Sequence, residues 1–455
     1  MNIYLTFLGC KLNQAEIEAY AREIVARGHG VVADPATADW AIVNTCTVTH
    51  VAARKSRQLV RHLRQVNPAL RLAVTGCYAT LSPDEVRALG EVDLILPNAD
   101  KGQVVERLLL AAGLGCAQPP ACGELVPLAS GRTRALIKIQ EGCDHACTYC
   151  IVHVARGAAR SRPAEEVLAE ARQRAAEGYQ ELVLTGVNIG AYGRDLDGWS
   201  LARLVRALLA ACDVPRVRLS SIEPQDVTPE LLDLWPHERL CRHVHLPLQS
   251  GSDAVLRRMG RPYTAAEFAQ VVAALRARAQ RAPALRAGTP QMALTTDVLV
   301  GFPGETEDDF AATYALLERL ALARLHVFRY SRRPGTPAAH MLDQVAPPSA
   351  QRRSDALLAL GQRLAHAFHA RYVGAQVVVL FESSQAGDGA PLWDGLTDNY
   401  LRVRAAWAGD LHNQRALVRG LSADAEGLRG EIVQVLDGPA VDAHPGQRVQ
   451  CHRDR

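Results

Sequence analysis

The chain has 455 residues, of which 48% are hydrophobic and 22% charged, with a formal net charge of +3. At roughly 150 residues per domain this length suggests about three domains, and the composition is that of a globular protein rather than a disordered or fibrous one. The small net charge excludes a polycationic nucleic-acid coat but leaves room for a local basic site.

No basic region precedes an apolar run in MNIYLTFLGCKLNQAE, and the longest candidate span, residues 108–114, is far short of the ~20 apolar residues a membrane helix needs. A soluble, cytoplasmic chain without a membrane partner is expected. Its 11 cysteines are an odd number, which argues against a closed disulfide framework; in a cytosolic chain, clustered cysteines more often bind metal or do chemistry.

Apolar or β-branched runs at 3–8, 40–43, 72–75 and 92–96 alternate with helical patterns at 15–27, 51–66 and 83–89. This predicts a Rossmann-like parallel-sheet domain over 1–115, covered on both faces. The segment 116–130, with CAQPPACGELVPL, reads as a linker. A second α/β series fills 131–370, with strands expected at 135–140, 181–185, 217–219, 243–248, 294–300 and 325–328. Helices are expected at 164–177, 265–278 and 307–320, and a longer loop at 281–291. Six strand–helix units predict a partial (β/α)6 barrel of the TIM type rather than the closed eightfold one. After a helix near 349–372, short strands at 377–381, 400–403, 415–418 and 431–435 predict a small all-β barrel over 371–440, followed by a tail at 441–455. The class is therefore α/β with a C-terminal β-barrel.

Cys10, Cys46 and Cys77 lie in FLGC, VNTC and VTGC, each just after a predicted strand of the first sheet. The carboxyl ends of parallel strands form the crevice where ligands bind, so three thiols about 30 residues apart are expected to converge there. Gly9 and Gly76 permit tight turns and close approach of a bulky ligand. The alternative is three small cysteines that simply end buried strands.

Cys143, Cys147 and Cys150 form a CxxxCxxC loop in QEGCDHACTYC, after the first strand of the second series. Three thiolates can hold three irons of a 4Fe–4S cluster, leaving the fourth iron open to the amino and carboxylate groups of a small molecule. A zinc site completed by His145 or His153 is the competing reading. Between Trp40 and Pro83 there is no acidic residue, yet Arg54, Arg57, Arg61 and Arg64 share a helix face by 3–4 spacing. That is a candidate phosphate track; Arg156, Arg160 and Arg162 form a second.

The phrases GCKLN, NTCTVT, ARKSRQ, TGCYA, ARGAARSR, LTGVNIGAYG, PLQSGSD, VGFPGETEDDF and GLTDNYLRV, together with the CxxxCxxC loop, resemble the methylthiotransferase family of the radical S-adenosylmethionine superfamily. The match runs in order from about residue 2 to about 405 and is best for the branch that modifies N6-threonylcarbamoyladenosine at tRNA position 37. The runner-up is the isopentenyladenosine branch, and a ribosomal-protein branch comes third. From a different class, the rival is a zinc-stabilised RNA-binding protein.

The resemblance implies two 4Fe–4S clusters, one on Cys10, Cys46 and Cys77 and one on Cys143, Cys147 and Cys150. It implies a C-terminal barrel of the TRAM type, the tRNA anticodon loop as partner and a low-potential electron donor of flavodoxin or ferredoxin type. In the implied mechanism one S-adenosylmethionine is cleaved reductively to a 5′-deoxyadenosyl radical, a second supplies the methyl group, and sulfur comes from the other cluster. Adenine C2 is an unactivated C–H carbon, so such chemistry must come from a cofactor. For cofactor binding the resemblance points to Tyr149, before the last cysteine of the loop, and, together with their position at successive strand ends, to Gly186, Ser220, Glu223 and Gln249; for the RNA, the basic spacing described above gives Arg57, Arg61, Arg64, Arg156 and Arg160 as candidates. From Ala370 onward 9 Arg face 11 acidic residues, an unusual balance for an RNA grip.

Overall fold

The computed structural model describes residues 1–90, 92–114, 132–279, 292–386 and 389–437. The expected linker at 116–130, the loop at 281–291 and the tail at 441–455 lie outside them.

The first domain runs β1 (Asn2–Phe7), α1 (Lys11–Ala26), β2 (Gly30–Val32), β3 (Trp40–Thr45), α2 (His50–Val66), β4 (Arg71–Gly76), α3 (Cys77–Leu81), α4 (Pro83–Arg87), β5 (Leu94–Leu96) and α5 (Val104–Ala111). The strands form a parallel sheet of order β2-β1-β3-β4-β5. Successive strand residues point to opposite faces. Ile3, Leu5, Trp40 and Ile42 therefore meet Ile17, Tyr20 and Ile24 of α1 and Leu108 of α5 on one face. Ala41, Val43, Leu72 and Val74 meet Ala53, Val60 and Leu63 of α2 on the other. The sequence reading missed β2, a three-residue edge strand too short to show alternation. The connections reverse direction between β1 and β3, a topological switch point where such sheets bind ligands.

The central region continues with β6 (Arg134–Lys138), β7 (Gln140–Glu141), α6 (Val152–Arg156), β8 (Arg160–Ser161), α7 (Ala164–Ala176), β9 (Glu181–Thr185), α8 (Leu201–Ala211), β10 (Arg216–Leu219), α9 (Pro229–Leu232), β11 (His243–His245), α10 (Asp253–Met259), α11 (Ala265–Ala279), β12 (Ala293–Val300), α12 (Glu307–Leu320) and β13 (Arg324–Arg329). Six parallel strands form two half-sheets, β10-β9-β6 and β11-β12-β13. The isolated parallel bridges Val217–Leu240 and Ser221–His245 join them at the seam, so the expected partial barrel is present. Its outward residues, including Ile137, Leu182, Leu184, Val217, Val244 and Leu294, pack under the helices. On the opposite face of β6 and β9, Leu136 and Val183 pack against Ala15 of α1. The first domain thus closes against the inside of the open barrel.

After α13 (Pro347–Ala370), strands β14 (Gln376–Gln385), β15 (Leu392–Thr397), β16 (Arg402–Ala406), β17 (Arg415–Ala423) and β18 (Leu428–Val435) close into a barrel of order β14-β15-β16-β18-β17. Strand β15 was not expected, because Asp394 and Gly395 in LWDGLT read as a turn. Gly395 is there for space: a Cβ would stand 2.7 Å from Val379 Cγ1 and 2.9 Å from Phe381 Cα.

This barrel docks at the amino ends of the central strands. Arg218, fully buried, donates through Nε and Nη2 to Glu181 at 2.6 and 2.9 Å and through Nη1 to the Asp398 carbonyl at 2.9 Å. Arg216 donates to the Leu396 and Val378 carbonyls, both at 2.8 Å. Arg242 holds the Asp398 carboxylate at 2.7 and 3.0 Å, and the Tyr400 ring stacks 4.6 Å from His243. The opposite, carboxyl ends of the strands are left for chemistry. Removing one member of a buried pair strands the other charge. Asp398→Ala is therefore expected to cost about 3 kcal/mol, the low end of that range, since Asp398 keeps 20% side-chain exposure. A lower urea midpoint, with earlier proteolytic release of the C-terminal barrel, checks this.

Candidate functional site

Cys10, Cys46 and Cys77 follow β1, β3 and β4, which are neighbours in the sheet, so their loops emerge side by side. The approach is close enough to require glycine: Gly9 has φ +103°, and a Cβ there would lie 2.9 Å from Cys46 Sγ. Gly76, at φ +99°, presses on the Thr45 backbone. Asn13 ties two of the loops together, donating to the carbonyls of Leu8 at 2.7 Å and Thr45 at 3.2 Å. Asn98 Nδ2 lies 3.7 Å from Cys77 Sγ. Ser56 Oγ accepts from Cys46 N–H at 3.3 Å and donates to Cys46 O at 2.9 Å. Burial, reinforced by the neighbouring Cys77 and Cys10, pushes the Cys46 thiol up to about 11; the Val48 N–H and Arg156 pull against this.

The second thiol set lies at the carboxyl end of the barrel. Gly142, at φ +71°, lets the loop run against Ala158, and Cys143 N–H donates to Gly157 O at 3.0 Å. Thr148 pins the loop to α10, its N–H and hydroxyl donating to Met259 O and Arg258 O at 3.0 and 2.8 Å. Val152 N–H donates to Cys150 Sγ at 3.4 Å. Cys150 is pushed up to about 11 by burial and by Cys147 and Cys143. Arg261 Nη1 donates to Cys147 Sγ at 3.2 Å and its other end pairs with Glu223. Tyr149 is edge-on to Phe302 at 6.3 Å.

The residues named from sequence follow the carboxyl ends of β9, β10 and β11, and two are tied to the loop: Glu223 through Arg261 and Gly186 through Gln140. At Gly186 a Cβ would stand 2.9 Å from Gln140 O. Ser220 Oγ is buried without a hydrogen-bond partner among the described residues. Gln249 holds a left-handed φ of +67°, an arrangement that costs energy in a non-glycine residue and recurs at functional sites; its N–H and carbonyl are bonded into β12 at 2.9 Å each. Glu223 is engaged by Arg261 rather than free.

The basic track is corrected in part. Arg57 lies 3.7 Å from Glu85, and Arg64 donates to Asp93 at 3.1 Å and Leu70 O at 2.5 Å. The acid-free window of 40–83 is real in sequence, but the fold brings acids from just beyond it onto the same face. Arg54 and Arg61 remain exposed on α2, and Arg160 is exposed on β8. Arg156 is not a surface cation: its side chain is 2% exposed. It donates through Nη1 to Glu16 at 3.0 Å and Glu141 at 2.9 Å and through Nη2 to Asn13 at 2.5 Å.

Sequence reasoning missed Arg261 and Glu16. Nothing local announces Arg261, 114 residues from the thiol it touches. Glu16 had a signal: a carboxylate on the buried stripe of α1 with Leu12, Ile17, Tyr20 and Ile24. Lys101, Lys138 and Arg156 surround it; burial works to raise its pKa, but these cations hold it well below the usual carboxylate range.

Among the described residues no group of His, Cys, Asp or Glu is already drawn together around a single-ion position. Each donor set is three thiols on loops shaped by glycine, which fits thiolate ligation of an iron–sulfur cluster. The two sets face each other across α6: it begins beside Cys150, and near its end the Ala155 carbonyl accepts from Asn98 Nδ2, at 2.6 Å, the same amide that lies beside Cys77.

Residues 137–317 match the Radical SAM superfamily and residues 2–97 the Uncharacterized protein family UPF0004. The chain is 37% identical to the threonylcarbamoyladenosine tRNA methylthiotransferase of Bacillus subtilis (strain 168), over 94% of this chain and 96% of that protein. It is 38% identical to the one from Thermotoga maritima, over 82% and 85%. A tRNA-2-methylthio-N(6)-dimethylallyladenosine synthase of Geobacter sulfurreducens is 34% identical over 85% and 88%. In fold, the chain is similar to a radical S-adenosylmethionine methyltransferase from Kitasatospora setae (TM-score 0.53, 16% identity, 85% of this chain and 79% of that one).

Thiol reactivity follows thiolate content and access. In the metal-free protein at pH 8, exposed Cys10 is expected to react with iodoacetamide at least about tenfold faster than buried Cys46. Peptide mass spectrometry of timed samples reads the ratio.

Proposed function

Since the chain belongs to the tRNA methylthiotransferases of the radical S-adenosylmethionine superfamily, we propose a division of labour among its residues. The protein methylthiolates N6-threonylcarbamoyladenosine in tRNA by radical S-adenosylmethionine chemistry. We place the reaction at C2 of the base at position 37, in the anticodon loop, where unstacked bases are open to selective reading.

Cys143, Cys147 and Cys150 hold the 4Fe–4S cluster, which supplies the electron for cleavage of bound S-adenosylmethionine. Arg261 steadies the Cys147 sulfur and orients Glu223 toward the cofactor side of the loop. Gly186 leaves space at its strand end, and Ser220, whose hydroxyl has no partner among the described residues, and Gln249 supply polar groups at theirs. Cys10, Cys46 and Cys77 hold a second, sulfur-supplying 4Fe–4S cluster. The observation that carries this reading is the pair of three-thiol sites on carboxyl strand ends, linked by one short helix. Arg54 and Arg61 on α2 and Arg160 on β8, all exposed, receive the RNA backbone. We assign the C-terminal barrel to the TRAM type, the electron donor to low-potential flavodoxins or ferredoxins, and the protein to the cytoplasm; no helix among the described residues is long and apolar enough to cross a membrane.

The substrate branch has its own support. A threonylcarbamoyl group carries a carboxylate and a hydroxyl and calls for cations; an isopentenyl group calls for an apolar wall. Beside Cys46, Arg333 donates to Thr47 Oγ1 at 2.7 Å, and His50 contacts the Arg332 carbonyl at 2.6 Å. A rim built from polar groups rejects an apolar substitute, because its own donors are then left unpaired. Reconstituted enzyme is expected to convert threonylcarbamoyladenosine tRNA at least about a hundredfold faster than isopentenyladenosine tRNA; nucleoside mass spectrometry measures both, and equal rates refute the assignment.

The two thiol sets are separable. Cys147→Ala is expected to abolish reductive cleavage of S-adenosylmethionine. Cys46→Ala is expected to retain cleavage, seen as 5′-deoxyadenosine, while sulfur insertion stops. Loss of cleavage in a folded Cys46→Ala protein contradicts the two-role assignment.

A further inference from the structure

The charges around Glu16 do not balance. Lys101, Lys138 and Arg156 are cations, whereas Glu16 and Glu141 are the carboxylates they contact among the described residues. Three cations against two carboxylates leave a formal excess of one positive charge; Lys138 keeps 23% side-chain exposure and burial lowers the Lys101 pKa, whereas Arg156, at 2%, keeps its charge away from solvent. A buried charge is tolerated only when something opposes it. The groups on the remaining side are thiols: the Asn13 side-chain oxygen that accepts from Arg156 Nη2 at 2.5 Å also lies 3.9 Å from Cys10 Sγ. Three thiolates holding an iron–sulfur core supply the missing negative charge.

Arg156 belongs to the barrel, not to the sheet that carries these cysteines. It ends α6, six residues after Cys150, and it reaches the auxiliary site through Asn13, which is itself bonded to the loops of Cys10 and Cys46. Arginine suits the place because a guanidinium keeps its charge when buried and donates along several directions at once.

We propose that Arg156 is a positioning residue for the auxiliary site, its guanidinium offsetting the negative charge of the Cys10, Cys46 and Cys77 thiolates and raising the reduction potential of the cluster they hold. This rests on the second-cluster assignment above. A reduced cluster carries one more negative charge than an oxidised one, so a fixed neighbouring cation favours reduction; the thiol set of the radical loop lies at the other end of α6.

The test uses the full chain with Cys143, Cys147 and Cys150 changed to Ala, so that one cluster reports. It is reconstituted anaerobically with iron and sulfide and titrated potentiometrically by electron paramagnetic resonance. At a fixed potential, Arg156→Gln is expected to lower the reduced-to-oxidised ratio about tenfold, ~59 mV for a one-electron couple. Arg156→Lys keeps the charge and stays near the parent. Glu141→Gln, which removes an opposing charge, shifts the ratio upward. An unchanged ratio in Arg156→Gln, or shifts of the same sign in both Gln variants, overturns the proposal, because loosened packing has no reason to follow the sign of the charge removed. If Arg156→Gln does not fold, Glu141→Gln decides alone: a rise supports the inference and no rise ends it. A parent that binds no iron and sulfide refutes the second-cluster assignment itself, and this inference with it.

Discussion

Where the first domain meets the barrel lies a carboxylate that cannot be left alone. Glu16 is buried on α1 of the first domain, and its partners come from other elements: Lys101 from just before α5, which packs on the same sheet face, Lys138 from the end of β6 and Arg156 from α6. Asn44 donates to the same carboxylate at 2.9 Å. Buried ion pairs add little net stability because desolvation consumes most of the attraction, but a wrongly docked arrangement leaves charges unpaired at a cost of several kcal/mol, about 3–5. The docked arrangement that pairs all of these charges places the sheet's strand ends opposite the barrel's.

Parallel sheets then do the rest. Both sheets carry their loops at the carboxyl ends of the strands, and each places three thiols there. In the first, adjacency of β1, β3 and β4 suffices to gather Cys10, Cys46 and Cys77. In the second, a single loop after β6 and β7 carries all three, and the neighbouring strand ends supply Gly186, Ser220, Glu223 and Gln249. Thr148 and Arg261 hold that loop against α10 and its neighbouring residues.

The C-terminal barrel is held at the other end by cations as well. Arg134, Arg216, Arg218 and Arg242 rise from the central strands or just before them and meet Glu382, backbone carbonyls and Asp398 of that barrel. Several of its own arginines answer its own acids: Arg402 and Arg404 pair with Asp394, and Arg415 with Asp437. This accounts for a domain whose acidic residues outnumber its basic ones. Its charges serve docking and internal pairing, while the exposed Arg54, Arg61 and Arg160 lie on α2 and β8.

Alternation of apolar residues and short connections determined the three-part architecture in sequence, because each element's period reflects which of its faces is buried. The short strand β2 and the glycine-bearing β15 escaped this reading, since neither carries enough alternation to outweigh local turn signals. The CxxxCxxC loop stands out in sequence because its three cysteines are neighbours along the chain. Cys10, Cys46 and Cys77 were legible because each ends a strand of one predicted sheet. The roles of single charged residues were not. Arg57 and Arg64 sit in an acid-free stretch yet meet Glu85 and Asp93, Arg156 reads as a surface cation yet is buried, and Arg261 touches a thiol 114 residues away. Local sequence sets backbone form and face, since those depend on neighbours along the chain. The charge each side chain opposes depends on neighbours in space, and only tertiary packing chooses those.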